Sequence, residues 1–282
     1  MILVDDASTD YSGGICDEYT KNNGHITTIH KEKNEGLSAA RNAALVRAHG
    51  TYVTFIDSDD YISEDTLTNL MEELAVHPDY DILEYPVYVH YGDKDMHLLH
   101  FPKHEYTDMA SYWLEEKAYN HTYACNKIYR RSLFQKVRFP VGKNFEDAWT
   151  LPQLLKHCST VATTSVGLYY YCANPHGITR QAKEQDLISH LDAHLKVLQS
   201  LRPTSEQHNY PQRLDAQFAD YYAAVLNILL DATDKASGSK QRKDIVKSFP
   251  ILPYKQTFKL KLLYIFGLNL LCQLHRTFRH SH

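Results

Sequence analysis

The chain has 282 residues, and its hydrophobic content of 43% is enough to build the core of one large domain or of two modest ones. Its formal net charge of −4 gives no electrostatic support for binding nucleic acid, which we do not expect as a partner. Five scattered cysteines without a C-x-x-C pair, no recognisable signal peptide and no apolar run long enough to span a bilayer favour a cytoplasmic protein over a secreted, zinc-binding or membrane-spanning one.

The beginning of the chain alternates between strand and helix patterns. Its third strand pattern, residues 52–56, is β-branched or aromatic throughout, which is typical of a buried strand in a parallel sheet. The order strand, helix, strand, helix, strand predicts a doubly wound α/β sheet. The predicted elements are a strand over residues 1–4, a helix from 10 or 12 to about 23, a strand over 25–30, a helix around 38–45 and a strand over 52–56.

Carboxylates follow two of these strands at the point where each strand ends. Asp5 and Asp6 follow the first strand, and Asp57, Asp59 and Asp60 follow the third. The carboxyl ends of parallel strands share one edge of a sheet, where α/β proteins bind ligands. Crowded acids repel one another unless a cation lies between them. Mg²⁺ or Mn²⁺ suits carboxylate oxygens and leaves positions open for substrate phosphates, although an acidic turn that caps the next helix is the alternative.

Two further charged features stand out. Arg41, in the motif N-x-G-x-x-x-x-R-N, could bind a phosphate or pair with Asp5 or Asp6, unless it is a surface arginine on a helix. Glu146 and Asp147 open a predicted helix, and a carboxylate held there could act as general base on a hydroxyl. The alternative for this acid pair is complementation of the helix dipole.

The remaining elements predict two regions with a boundary near residue 180. Before it we expect a helix over 64–76, strands over 81–90 and 96–101, a helix over 106–117, an extended segment over 123–129 and one or two strands within 161–172. Beyond it lie long helical patterns over 183–201 and 205–233, with a polar hinge at 232–243. The sequence therefore predicts an α/β domain over 1–180 and a helical region over 181–282.

The C-terminal segment, residues 255–282, combines an apolar run at 262–272 with basic residues on both sides. Its apolar positions do not sort to one face of a helix, and the run is too short to span a bilayer. A helix that lies in a membrane interface fits this pattern, and so does a helix packed on the domain or on a partner. The flanking basic residues are Lys255, Lys259, Lys261, Arg276 and Arg279.

Five short motifs occur in order along the chain, and each is weak alone. They are I-L-V-D-D-A-S-T-D, N-E-G-L-S-A-A-R-N, F-I-D-S-D-D, N-K-I-Y-R-R-S-L-F and N-F-E-D. The ordered set resembles the family 2 glycosyltransferases of the GT-A fold, in the style of bacterial enzymes that build capsular, exopolysaccharide or teichoic-type glycans. The resemblance covers about residues 1–180. It implies an α/β protein with a Rossmann-like, mostly parallel sheet flanked by helices, followed by a helical C-terminal region.

The resemblance also implies roles on the donor side. Asp5 or Asp6 would contact the base or ribose of a nucleotide-sugar, for which a UDP-sugar is the expected donor. Asp57 would contact the ribose or a metal-bound water, and Asp60 would contact the donor sugar. Asp59 would hold Mn²⁺ or Mg²⁺ against the donor diphosphate, with Asp57 as a second candidate ligand.

On the acceptor side, Asp147 resembles the catalytic base that deprotonates a hydroxyl of a glycan or lipid-linked acceptor, and Glu146 would orient that acceptor. Arg41 and the pair Asn126-Lys127 would lie near the donor. The implied reaction is inverting transfer of a hexosyl or N-acetylhexosaminyl group in cell-surface polysaccharide synthesis. The expected location is the cytoplasm or the inner face of the plasma membrane, with peripheral membrane contact through residues 255–282. A homo-oligomer is a further possibility.

Two departures from the family pattern matter. Relatives begin with a further strand, usually followed by P-x-Y-N and a helix, before the stretch that matches residues 2–6. We therefore expect this chain to be incomplete at its N-terminus. Relatives often carry an arginine and a serine where residues 171–179 read Y-C-A-N-P-H-G-I-T. Arg180 is the candidate substitute for that arginine. His176 is a candidate contact for a metal or a phosphate, and the alternative is a solvated histidine in a turn.

Two other classes of protein stay open. A response-regulator receiver domain would use the Asp5-Asp6 pair with Asp57 as phosphoacceptor, but the expected K-P near residues 80–110 is absent from the sequence. A non-catalytic sugar-nucleotide binder or partner subunit of a polysaccharide assembly is the second. It would bind UDP in a metal-dependent way, transfer no sugar and be indifferent to Asp147→Asn.

Overall fold

The computed structural model describes residues 1–175, 177–178, 180–201, 210–254 and 257–279, which fall into two compact units. The first unit consists of Met1–Met109 and Tyr123–Pro175, and the second consists of Ala110–Thr122 and His176–His282. The first unit thus ends close to the boundary predicted near residue 180. The prediction placed residues 110–122 in the first domain, whereas the structure groups them with the second unit.

Strands and helices alternate along the chain. The strands are β1 (Ile2–Asp5), β2 (Thr27–His30), β3 (Tyr52–Thr54), β4 (Tyr61–Ile62), β5 (Ile82–Glu84), β6 (Val87–Tyr91), β7 (His97–Leu99), β8 (His104–Tyr106), β9 (Lys127–Arg130), β10 (Val161–Thr163) and β11 (Tyr169–Cys172). The helices are α1 (Ser12–Asn22), α2 (Leu37–Arg47), α3 (Thr66–Val76), α4 (Met109–Leu114), α5 (Leu133–Lys136), α6 (Glu146–Leu155), α7 (Glu184–Leu201), α8 (Asp215–Lys235), α9 (Ser239–Ser248) and α10 (Phe258–Arg279). The strand–helix alternation predicted up to residue 56 is confirmed.

Local chemistry sets several element boundaries. Gly36, with φ of 85°, precedes α2 in a conformation that other residues rarely adopt. The single strand predicted over 81–90 is divided into β5 and β6 at Pro86, which has no N–H to donate to a ladder. The polar hinge predicted at 232–243 is shorter than expected, because α8 continues to Lys235 and α9 begins at Ser239.

The strands form three sheets within the described residues. β1 and β2 pair in parallel as a two-stranded sheet, while β3 belongs to a five-stranded sheet of order β3-β9-β5-β10-β8. The third sheet has the order β4-β11-β6-β7. The pairs β1–β2, β5–β10 and β6–β11 are parallel, and the other neighbouring pairs are antiparallel.

The prediction that β1, β2 and β3 share one parallel sheet is therefore wrong. In the described part of the chain the ladder partner of β1 is β2, and that of β3 is the antiparallel strand β9, so no strand bridges β1 and β3. Asp5, at the end of β1, and Asp57, beyond β3, consequently follow strands of different sheets. Helices still flank the sheets, as the predicted α/β class requires.

The core of the first unit packs α3 against β5, β6, β9 and β11. Apolar and aromatic side chains fill this core, and their burial and close packing stabilise the first unit. Its fully buried members include Leu70, Tyr80, Leu83, Tyr85, Val87 and Tyr169.

The second unit is built from α4 and α7 to α10. Trp113 on α4 is 3% exposed, and its ring centroid lies 5.8 Å from that of Tyr221 on α8. Tyr119 lies 4.8 Å from the same ring. These aromatic contacts explain why residues 110–122 belong to the helical unit. Among the described residues, no helix is both long enough and apolar enough to cross a bilayer.

Candidate active site

The guanidinium of Arg41 lies between two carboxylates. Its Nη2 donates to Asp57 Oδ1 at 2.7 Å, and its Nη1 donates to Glu146 Oε1 at 2.5 Å. Only 7% of the side chain is exposed, and its Cζ lies 5.7 Å from the ring of Phe55 and 5.3 Å from that of Phe139. Arg41 therefore joins the chain beyond β3 to the start of α6.

This geometry corrects the partners predicted for Arg41. It neither pairs with Asp5 or Asp6 nor lies on the surface, because α2 directs it toward Asp57 while Asp5 and Asp6 follow a strand of another sheet. Burial alone would lower the pKa of Arg41, but the charges of Asp57 and Glu146 outweigh it, so the pKa is raised. Arg41 is consequently charged at neutral pH.

The acid loop, residues 57–60, connects β3 to β4 and is fixed by β11. Tyr169 Oη donates to Asp60 Oδ2 at 2.8 Å and accepts from the Asp57 N–H at 3.1 Å. The N–H of Cys172 donates to Asp60 Oδ1 at 2.8 Å. The Asp60 N–H also donates to the Asp57 carbonyl at 3.1 Å, which closes the loop as a turn. Both ends of the acid loop are therefore held in place.

The three carboxylates of the acid loop have different surroundings. Asp57 is paired with Arg41, and both oxygens of Asp60 accept hydrogen bonds. Burial raises the pKa of Asp60 to about 6, against the effect of those hydrogen bonds, and the charges of Asp57 and Asp59 act in the same direction as burial. Asp59 is exposed and accepts from Asn174 Nδ2 at 2.8 Å.

Asp59 is thus the carboxylate of the acid loop that is most accessible to a cation. No group of three or more His, Cys, Asp or Glu side chains in the described part of the chain could hold a metal ion by itself. Mg²⁺, however, is commonly bound by one or two carboxylates together with substrate phosphates. The residues present therefore fit a metal that completes its coordination with a diphosphate, with Asp59 as ligand. Asp57 could be a second ligand without leaving Arg41, because Arg41 bonds to Oδ1 and a carboxylate has a second oxygen.

Asp5 is held by the backbone and by a histidine. The Ser8 N–H donates to Asp5 Oδ1 at 3.0 Å, and His30 Nδ1 lies 3.0 Å from Asp5 Oδ2. Hydrogen bonds from Ser8 and His30 lower the pKa of Asp5 to about 2. The other ring nitrogen of His30 lies 2.8 Å from Asp17 on α1, so the histidine ties β1, β2 and α1 together.

Asp6 has a different role in the structure. The N–H groups of Glu35 and Gly36 donate to its carboxylate, the latter at 2.6 Å, and Lys31 Nζ lies 2.8 Å away. Burial opposes ionisation of Asp6, but Lys31 and the two N–H groups outweigh it and lower the pKa. Asp6 therefore fixes the loop that leads into α2, the helix that carries Arg41.

Glu146 and Asp147 occupy the first turn of α6, where a negative charge complements the helix dipole. Glu146 is 7% exposed. Burial raises its pKa, the charge of Asp147 raises it further, and Arg41 opposes the shift. Asp147 is half-buried, and its Oδ1 accepts from the Ala148 N–H at 2.7 Å. The structure thus joins the two predicted acidic features, since Arg41 bonds both to the acid loop and to the residue beside Asp147.

The Asn126-Lys127 pair lies inside the protein, and both residues are 0% exposed. Lys127 Nζ forms an ion pair with Glu84 at 2.7 Å and donates to Tyr123 O at 2.9 Å. Asn126 Nδ2 donates to Tyr85 O at 3.0 Å. The expectation that this pair lies near the donor gains no support from these contacts, because they join β9 to the end of β5.

A row of tyrosines was missed by the sequence reasoning. Tyr61, Tyr170 and Tyr88 are direct cross-strand partners on β4, β11 and β6. The Tyr170 ring stacks 4.5 Å from Tyr61 and 5.7 Å from Tyr88, with Tyr91 at 4.8 Å. Tyr61 directly follows Asp60 and is 45% exposed. Aromatic ring faces of this kind can stack on sugars. The sequence signal that could have revealed the row was tyrosine at strand positions that alternate with core residues.

Two candidates from the sequence, His176 and Arg180, remain. His176 falls outside the described residues. Arg180 belongs to the second unit, where it is exposed and its N–H donates to Gly177 O at 3.1 Å.

Comparison with known proteins agrees with the fold and the motifs. Residues 1–138 match the family model described as glycosyl transferase family 2. The chain is 30% identical over 257 residues to glycosyltransferase GlyA of Streptococcus pneumoniae, covering 86% of this chain and 36% of that protein. It is 29% identical over 177 residues to the minor teichoic acid biosynthesis protein GgaB of Bacillus subtilis, covering 61% of this chain and 19% of that protein. The crystal structure of S. aureus TarS 1–349 with UDP-GlcNAc superposes with a TM-score of 0.71 at 18% identity, covering 100% of this chain and 82% of that one.

These findings place the chain in glycosyl transferase family 2, with the GT-A fold. The predicted family, the α/β fold class and the helical C-terminal region are confirmed, and the receiver domain is excluded. The chain spans 36% and 19% of the lengths of the two curated relatives above.

Proposed function

We propose that this chain is an inverting glycosyltransferase that moves a sugar from a nucleotide-sugar to a hydroxyl of a glycan or lipid-linked acceptor in cell-surface polysaccharide synthesis. The single observation that carries the proposal is the position of Arg41, which joins Asp57 of the acid loop to Glu146 beside Asp147. The guanidinium of Arg41 thereby links the acid loop, which is suited to bind the donor, to the start of α6, which is suited to bind the acceptor. The UDP-GlcNAc held by the similar TarS structure supports a UDP-sugar as donor.

On the donor side, Asp5 or Asp6 would contact the base or ribose, and Asp57 the ribose. Asp59 would hold Mn²⁺ or Mg²⁺, which when bound neutralises the charge that develops on the leaving diphosphate. Asp60, whose carboxylate is fixed by Tyr169, would accept a hydrogen bond from the donor sugar.

On the acceptor side, Asp147 would act as general base. The acceptor oxygen attacks the anomeric carbon while the bond from that carbon to the diphosphate oxygen breaks, and the hydroxyl proton moves to the Asp147 carboxylate. The product carries the inverted anomeric configuration, and the nucleoside diphosphate leaves. Glu146, which is bound to Arg41, would keep the first turn of α6 in position. Use of a lipid-linked acceptor would place the protein peripherally at the inner face of the plasma membrane.

The first test measures the melting temperature of the protein with each of a panel of UDP-sugars, with and without Mn²⁺. The second test measures release of UDP in the presence of glycan acceptors. We expect a metal-dependent rise in melting temperature, because a ligand that binds only the native state stabilises it. Asp59→Asn should abolish the metal dependence, whereas Asp147→Asn should bind donor and transfer no sugar. Metal-dependent UDP binding without transfer, unaffected by Asp147→Asn, would identify a non-catalytic binder instead.

A further inference from the structure

Helix α10 is kinked at Gly267, whose φ of 74° is not helical, and it exposes large apolar side chains on both sides of this kink. Phe258, Tyr264, Ile265 and Phe266 are 74%, 57%, 67% and 51% exposed, and Leu270 is 39% exposed. We call these five residues the α10 strip. Apolar side chains scattered singly on a surface are ordinary, but a set gathered along one helix marks an interaction site.

The α10 strip is not needed to hold the helix in its own unit. Leu260, Leu263, Leu268 and Leu271 of the same helix are all buried, with exposed fractions of 0% to 7%. One apolar side is enough to dock a helix on a core. Because α10 has buried leucines both before and after the kink at Gly267, the α10 strip is additional apolar surface that faces solvent. This arrangement explains why the apolar positions do not sort to one helix face.

The charged side chains of α10 itself are all basic, although Asp231 of α8 lies 3.7 Å from His275 near its C-terminal end. Residues 257–279 contain Lys259, Lys261, Arg276 and Arg279 and no aspartate or glutamate, whereas the whole chain has a net charge of −4. Lys259 and Lys261 are exposed beside Phe258. A helix with exposed aromatic and aliphatic residues beside lysines complements a surface that is negative outside and apolar beneath.

We propose that the α10 strip binds the surface of an anionic lipid bilayer. The aromatic and aliphatic side chains would enter the boundary between head groups and acyl chains, and the lysines would contact lipid phosphates. The helix would lie in the interface, with its apolar side chains toward the acyl chains and its lysines toward the head groups. Membrane binding itself requires neither donor nor acceptor. The inference rests on the proposed function in one respect, because a lipid-linked acceptor would give such membrane contact a purpose.

Sedimentation of the full chain with lipid vesicles tests the proposal. One set of vesicles contains phosphatidylglycerol mixed with phosphatidylcholine, and the other contains phosphatidylcholine alone. We expect binding to the first set, weaker binding as salt screens the charges, and little binding to the second. Ile265→Ser/Phe266→Ser should abolish binding, and Lys259→Gln/Lys261→Gln should weaken it about tenfold or more.

Matched controls alter the same side-chain types elsewhere. Leu67→Ser/Val76→Ser removes two exposed apolar residues of α3, and Lys21→Gln/Lys33→Gln removes two exposed lysines. Both should bind vesicles as the wild type does. Equal binding of all variants, or no binding by the wild type, would overturn the proposal. A concentration-dependent dimer that Ile265→Ser/Phe266→Ser abolishes, without vesicle binding, would assign the α10 strip to a second copy. UDP release measured without vesicles tests the proposed function separately.

Discussion

Arg41 and Glu146 lie 105 positions apart in the sequence and form an ion pair of 2.5 Å in the interior of the first unit. The same guanidinium holds Asp57 at 2.7 Å. Removal of one member of a buried ion-pair set is strongly destabilising, because the desolvation of the remaining charges is then no longer compensated. The candidate site therefore depends on Arg41 for its shape as well as for its charge.

Arg41→Met should destabilise the first unit by about 3–5 kcal/mol, since it leaves two carboxylates without their cation. Arg41→Lys should cost less, because one ion pair can survive. Urea unfolding followed by circular dichroism measures both effects. The matched control is Arg47→Met, which removes an exposed arginine from the same helix. If Arg41→Met proved as stable as Arg47→Met, the central role of this ion pair would be wrong.

Lys127 and Glu84 form a second buried ion pair, with both side chains 0% exposed. Lys127→Met and Glu84→Gln should each cost about 3–5 kcal/mol, because each leaves an uncompensated polar group in the core. The double variant should lose less than the sum of the two, with a coupling of about 0.5–3 kcal/mol in a double-mutant cycle. Lys33→Met is the control, since Lys33 and Glu35 are 77% and 39% exposed in their ion pair, which should contribute less than about 1 kcal/mol.

Asp147→Asn should lower the rate of sugar transfer by about 10²–10⁴-fold, the range typical for loss of a general base. The amide oxygen can still accept the hydrogen bond from the Ala148 N–H, so the fold and donor binding should persist. Asp65→Asn, which alters an exposed acid before α3, is the control. UDP release with a saturating donor gives the rate, and a variant as fast as wild type would remove Asp147 from the chemistry.

Asp60 should make stability depend on pH in the mildly acidic range. Burial raises its pKa to about 6, above the ordinary aspartate pKa of about 3.9, so the folded state favours the protonated form. Its stabilising contribution is fully present below pH 3.8 and is lost as the pH rises through about 6. Asp60→Asn should flatten this dependence, so that the variant gains stability relative to wild type as the pH rises. Urea unfolding across this range measures the difference, and parallel pH profiles would contradict it.

Short-range features of the fold could be read from the sequence. The alternation of β1, α1, β2, α2 and β3 follows from local hydrophobic patterns and turn residues, which act over a few positions. The ordered motifs also located the acid loop and the Glu146-Asp147 pair. The structure agrees with the sequence on these elements.

Long-range pairing could not be read in the same way. The partition into three sheets, the partners of Arg41 and the anchoring of Asp60 by Tyr169 join residues that are distant in the sequence. Residues 110–122 carried a local helical pattern that gave no sign of which core they enter. Such contacts depend on tertiary packing, which local propensity does not encode.

The phenol of Tyr169 has a consequence for how tightly a donor can bind. The hydroxyl forms hydrogen bonds with both the Asp57 N–H and the Asp60 carboxylate. These bonds restrain the acid loop before any ligand binds. Less conformational entropy is then lost on association, so more of the interaction energy appears as affinity. Preorganisation of this kind also makes a poorly matched sugar costly to accommodate, because the loop cannot relax around it.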